Sequence, residues 1–159
     1  PMTFPEYQDY SAQLRSIEHL TWATNRTFTL TGVSEPAALN GAAVTAAAWP
    51  MLGLAPMLGR TFTAAEDQPG AAPVAVLSAA TWQGKFGRDP DILGREIVLN
   101  GRAYTVVGVM PPRCKFWGAE VWVPAGLEAD TEIMRNRIMR MNSWGIGRMK
   151  AGVTLEEAN

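Results

Sequence analysis

Apolar side chains at Phe4, Tyr7, Tyr10, Leu14, Ile17 and Leu20 recur at intervals of three or four residues, which places them on one face of a helix. Thr3-Phe4-Pro5-Glu6 opens it as a capping box, in which threonine and glutamate satisfy each other's backbone N–H and proline is tolerated in the first turn. The stripe predicts helix to about His19. From Leu20 to Leu30 the pattern changes to β-branched and aromatic residues ended by Thr31-Gly32, which predicts a strand. Leu39 to Thr45 reads as its partner across a turn near Ser34-Glu35-Pro36. Ala46 to Leu52 reads as a short helix stopped by Gly53 and Pro56.

Further along, Thr63 to Glu66 predicts a one-turn helix, Asp67 to Ala72 a loop and Pro73 to Leu77 a buried strand. Ser78 caps a helix carrying Trp82 and Phe86, which Gly87 terminates. Asp89-Pro90-Asp91 opens a turn with Ile92 and Leu93 packed inward and Gly94 closing it. The strongest local signal is Arg95 to Val109, where two β-rich runs flank Asn100-Gly101. That pair accepts positive φ at both central positions of a type I′ turn, so the stretch is a hairpin. Pro111-Pro112 stops it, and a loop bearing Phe116 and Trp117 follows. Glu120 to Pro124 then predicts a short strand, Ala129 to Met141 a helix and Trp144 to Lys150 a last strand. Helices and strands alternate irregularly around a firm hairpin, which makes the fold class α+β.

Composition narrows the chemistry. The chain has 159 residues, 14 basic and 15 acidic, with a formal net charge of −1. Near-neutrality excludes the broad basic surface that nucleic acid or anionic lipid demands. Cys114 is the single cysteine, so an internal disulfide and a multi-cysteine metal knuckle are excluded. His19 is the single histidine, which excludes a His-pair zinc site. The uncharged stretch from Gly41 to Gly59 is long enough to span a bilayer, yet it holds Pro50, Pro56 and Gly53 and begins in alanine. A buried strand followed by a short helix fits it better. At the far end, Thr154-Leu155-Glu156-Glu157 reads as a second capping box whose helix has no room to finish before Asn159, as expected of a piece cut from a longer protein.

No catalytic constellation emerges. A nucleophile-plus-base site would need His19, which is expected at a helix tail, where histidine solvates the last carbonyls. Cys114 lies between Arg113 and Lys115, which would activate it only if it were exposed. Gly84-Lys85 and Gly145-Ile146-Gly147 lack the remaining positions of phosphate-binding motifs. The carboxylates Glu66-Asp67, Asp89 with Asp91, and Glu156-Glu157 all adjoin caps or turns, where local hydrogen bonding accounts for them. Asn25-Arg26-Thr27 matches a glycosylation sequon but falls on a predicted strand. Met134, Met139 and Met141 do not share one helical interval and read as core filling.

An ordered set of short motifs carries a family resemblance. It runs through Phe4-Pro5-Glu6-Tyr7, Leu30-Thr31-Gly32, Leu52-Gly53, Pro56, Gly59-Arg60-Thr61-Phe62, Glu66-Asp67 and Val76-Leu77-Ser78. It continues through Trp82, Phe86-Gly87, Asp89-Pro90, Gly94-Arg95, Leu99-Asn100-Gly101, Tyr104 to Pro112, Trp122-Val123-Pro124 and Gly152 to Glu156. The chain resembles the MacB-like periplasmic core domain of ABC transporter permeases, the group that includes MacB, FtsX and LolC/E, and within it the orphan-permease branch.

The resemblance implies a porter-like subdomain built from residues 1–55 and 129–159, with a smaller mixed α/β subdomain, 56–128, inserted and containing the 95–109 hairpin. It also implies an inner-membrane protein whose domain faces the periplasm and transmits ATP-driven transmembrane motion to a substrate or partner in export. The implied partners are the flanking transmembrane helices of the same chain, a second permease copy, a cytoplasmic ATPase and a periplasmic partner. No cofactor, metal or catalytic residue is implied. Phe116 and Trp117 are the candidate partner contact, because exposed rings are costly unless they meet something; the same rings could instead tuck under the hairpin. Two rival readings make other demands. A ligand- or lipoprotein-binding domain needs an apolar pocket between subdomains lined by Met and Trp, and a free-standing enzyme needs Cys114 or an acidic pair such as Glu66-Asp67.

Overall fold

Glu6 Oε2 accepts from the Thr3 N–H and hydroxyl at 2.8 and 2.9 Å, while the Glu6 N–H donates back to Thr3 Oγ1 at 3.3 Å. The first capping box thus forms in the computed structural model, which describes residues 2–13, 17–129, 131 and 143–149. It starts α1, Phe4–Gln13. The helix ends well short of His19, because β1 already runs from Ile17 to Thr31. Ile17 and Leu20 fit the helical stripe, but Ile17 to Thr24 find ladder partners in β8, Ser143–Met149, more than a hundred residues away. Tertiary pairing overrides the local period here.

The other elements follow the sequence closely, except a two-residue strand, Leu58–Gly59, which it does not predict. They are β2 (Ala37–Val44), α2 (Ala48–Leu52), β3 (Leu58–Gly59), β4 (Val74–Leu77), α3 (Ala79–Phe86), β5 (Glu96–Leu99), β6 (Arg102–Val109) and β7 (Val121–Pro124). Gly53 ends α2 and Gly87 ends α3, both in the left-handed region, and Ser78 Oγ accepts from the Thr81 N–H to cap α3. Asn100 and Gly101 hold φ of 51° and 77°, giving the tight hairpin. Residues 64–66 make a hydrogen-bonded turn rather than a helical turn. Leu93 is 42% exposed, so only Ile92 of that pair packs inward. The expected elements at Ala129 to Met141 and after Thr154 lie largely or wholly outside the described residues.

The strands join in the order β2-β7-β4-β6-β5-β1-β8, and β1 also pairs with β2. That extra pairing closes β1, β2, β7, β4, β6 and β5 into a ring. β1 serves it twice over: Ala23 to Leu30 pair with β2 and Leu30 and Thr31 with β5, while the amino-terminal half pairs with β8, the two together termed the arm. Leu30, Ala43, Val123, Leu77, Val106 and Leu99, one from each ring strand, belong to a single buried cluster inside the ring. A bulge in β6 leaves Val107 without a partner in β4, its carbonyl accepting from the Arg60 N–H instead, and shifts the inward positions from Val106 to Val109. β1 and β2 therefore hydrogen-bond directly with β5 and β7 of the 56–128 segment.

A second cluster covers the outer face of β2, β7 and β4. Ala42, Val44, Val76 and Trp122 pack there beneath Trp49 of α2, Phe62 and the loop after β6. The uncharged Gly41 to Gly59 stretch is thus strand, short helix and turn, and among the described residues no helix is long and apolar enough to cross a membrane.

Candidate functional site

The loop from Met110 to Ala119 is fixed at both ends by the sheet. Met110 N–H donates to the Leu77 carbonyl at 2.8 Å, and the Trp122 indole of β7 donates to the Phe116 carbonyl at 3.2 Å. Pro111 and Pro112 deny it ladder donors, so it closes on itself through Cys114 N–H to Pro111 O at 2.9 Å and Gly118 N–H to Lys115 O at 3.0 Å. Phe116 to Gly118 make a tight turn whose last two residues are left-handed.

Both predicted contact rings lie on this turn and neither is free in solvent. Phe116 and Trp117 are half-buried against the second cluster, with centroids 6.1 Å apart at 61°. Beneath them Trp49 packs edge-on to Trp122 at 5.8 Å and to Phe62 at 5.3 Å. Trp117 is held at φ 60°, a left-handed conformation that costs a bulky residue about 1–3 kcal/mol. Its indole N–H and that of Trp49 are buried and have no hydrogen-bond partner among the described residues. Aromatic packing therefore holds this turn against its backbone preference. A cleft of about 270 Å³ lies beside it, walled by Ser78, Gln83, Pro111, Cys114, Lys115 and Glu120.

The remaining candidates separate. His19 stands in β1 opposite Arg148, not at a helix tail. Cys114 is buried, 6% exposed, and packs in the second cluster. Asp89 behaves as expected, accepting from the Asp91 N–H at 2.9 Å and from Arg95 at 3.0 Å. Glu66 is likewise local, bonded to Thr63 and forked onto Arg60 at 2.7 and 3.0 Å, and this guanidinium holds its carboxyl below the usual range. Asn25 to Thr27 lie on β1, paired with β2. Among the described residues no group of His, Cys, Asp and Glu could hold a metal ion. The cleft beside the turn is lined by neither Met nor Trp among the described residues.

Sequence reasoning misplaced Asp67. Its carboxylate accepts from the Ala46 N–H at 2.8 Å and the Gly126 N–H at 2.6 Å, contacts 21 and 59 residues away in sequence. Its neighbours in the chain carry no sign of these partners.

The family model for the MacB-like periplasmic core domain matches residues 1–159. The chain belongs to that family. It is thus of the class of extracytoplasmic domains of ABC transporter permeases rather than of a known enzyme class. Solved structures share the fold. The periplasmic region of MacB from Actinobacillus actinomycetemcomitans matches at 16% identity and a TM-score of 0.77 over 98% of this chain and 68% of that one. A permease-protein domain from Porphyromonas gingivalis matches at 18% identity and a TM-score of 0.72, covering 98% and 71% of the two chains. The extracellular domain of the noncanonical ABC-type transporter YknZ from Gram-positive bacteria matches at 17% identity and a TM-score of 0.64, covering 78% and 64%. No curated protein matches the chain.

Proposed function

We propose that this MacB-like domain transmits motion from the flanking transmembrane helices of its own permease chain to a substrate or periplasmic partner during export. The energy would come from a cytoplasmic ATPase acting on a pair of permease copies in the inner membrane, with the domain facing the periplasm. In this reading residues 1–55 and 129–159 act as the porter-like part and 56–128 as the insert, and the domain needs no cofactor of its own.

One observation carries the proposal. β1 is a single strand of 15 residues, roughly 50 Å at about 3.3 Å per residue. Its first half pairs with β8 in the arm, and its second half is a stave of the closed ring. A pull on the arm is thus borne by covalent backbone and ladder bonds directly into the ring. Phe116 and Trp117 are the proposed partner contact on the far side of β7.

The test uses the full permease with its ATPase in lipid vesicles, spin-labelled at Glu96→Cys in a Cys114→Ser background. Binding of a non-hydrolysable ATP analogue is expected to change the distance between the labels of the two copies. Identical distance distributions with and without nucleotide would overturn the reading. For the contact, Phe116→Ser with Trp117→Ser is expected to weaken assembly or export with the domain still folded by circular dichroism. Loss of folding would instead assign the rings to packing alone.

A further inference from the structure

The turn bearing Phe116 and Trp117 hangs between two fixed points. Met110 is bonded to Leu77 at one end, and at the other Glu120 is held twice, donating its N–H to the Asn40 carbonyl at 2.7 Å and accepting from the Ser78 N–H at 3.0 Å. Phe116 is tied as well, because its carbonyl accepts from the Trp122 indole at 3.2 Å. Trp117 is held less firmly. Among the described residues the bonds that close the turn across it are Gly118 N–H to Lys115 O at 3.0 Å and Ala119 N–H to Phe116 O at 3.3 Å. Lys115 and Gly118 also line the cleft of about 270 Å³, so the turn borders open space on that side.

We propose that Trp117 is a retractable anchor: the turn has a second state in which residue 117 returns to an ordinary negative φ and its ring leaves the second cluster for solvent, while Phe116 stays seated. This deepens the reading of the two rings as a partner contact and rests on it for its purpose.

The balance of forces makes the second state accessible. The left-handed φ of 60° weighs against the seated ring by about tenfold, and the buried indole N–H with no partner among the described residues by about tenfold again. Release removes both, since water then meets the N–H. Against them stands the burial of about half an indole, roughly 100 Å² and worth on the order of a hundredfold. These contributions nearly cancel, which leaves the two backbone bonds to hold the turn shut, and such bonds favour the closed state by roughly ten- to a hundredfold. Opening at that level is far commoner than global unfolding. A partner that grips the indole meets it only in the open fraction, and its apparent affinity is scaled by that fraction.

Hydrogen exchange of the chain, resolved by NMR at constant pH, tests the two states. The Trp117 indole N–H is expected to open about a hundredfold or more often than that of Trp122, whose bond to Phe116 survives the movement. Trp117→Phe keeps a ring and the left-handed backbone but deletes the unpaired donor. Its Gly118 amide is therefore expected to open about threefold or more less often than in the wild type, the reverse of what trimming a well-satisfied indole does. Equal protection of the Trp117 and Trp122 indoles would overturn the proposal, and so would a Gly118 amide that opens as often or more often in Trp117→Phe. Either result would leave the partner contact itself standing, and loss of that contact in the permease would leave the two states standing.

Discussion

Gly41 of β2 stands inside the ring opposite Arg26 of β1, and a Cβ there would run into the edge of the Phe28 ring and lie 3.1 Å from Val121. Phe28 has no room to yield: it is 4% exposed and packs edge-on to Tyr104 at 6.4 Å. Overpacking a closed core costs about 1–3 kcal/mol, against which alanine recovers about 0.5–1 kcal/mol of backbone entropy. Gly41→Ala is therefore expected to destabilise by up to about 2.5 kcal/mol net. Phe28→Leu alone should cost about 1–3 kcal/mol through the space it leaves. Combined, the added methyl occupies part of that space, so the double variant should be at least about 1 kcal/mol more stable than the sum of the single losses. Urea unfolding followed by the fluorescence of the 6 tryptophans measures all four corners of the cycle. Losses that add to within about 0.5 kcal/mol would refute the claim that the ring interior is filled at this point.

The β1–β5 seam gives another prediction. Asn100 accepts from the Thr29 N–H at 2.8 Å and donates to the Thr27 carbonyl at 3.3 Å while holding a left-handed φ. Asn100→Ala is expected to lower stability by about 1–3 kcal/mol and the melting temperature with it; Asn100→Gly, which keeps the turn and loses only the bonds, should fall between. Adjacent carboxylates should also give opposite pH slopes. Glu66, held below its ordinary value chiefly by Arg60, contributes stability above about pH 4.5 that is lost as pH falls through its lowered value, worth about 0.2–1 kcal/mol for so exposed a pair. Asp67, raised to about 6, stabilises most when protonated and loses that contribution as pH rises through 6. Urea midpoints of Glu66→Gln and Asp67→Asn at pH 4, 5 and 7 should diverge from wild type in opposite senses, and a shared sense would contradict the assignment.

What the sequence disclosed was whatever depends on near neighbours. The Asn100-Gly101 turn, the Thr3 box, the Ser78 cap and the Gly53 and Gly87 stops each rest on conformational preferences within a few residues, and each forms where expected. Errors arose where distant pairing decided the outcome. Ile17 fits a helix until Met149 is beside it, and Asp67 reads as a turn residue until Gly126 arrives. Ring closure itself was illegible, because the parallel contact of β2 with β7 leaves no short-range pattern. At the contact loop, ring side chains could be singled out by composition. The left-handed backbone of Trp117 and the unpartnered indoles could not, since both arise only when Trp49, Trp122 and the loop converge.

The thread of the ring also sets an order of assembly. Val44 of β2 ends up beside Pro124 of β7, about 80 residues later. The β1–β2 hairpin therefore waits as an open sheet with bare edges until most of the domain exists. At about 5–20 residues per second, ribosomal synthesis of that interval takes roughly 4–16 s. Exposed apolar strand edges kept waiting that long recruit other chains. While residues 45–120 are being made the free edge of β2 stays open, until β7 supplies the closing stave.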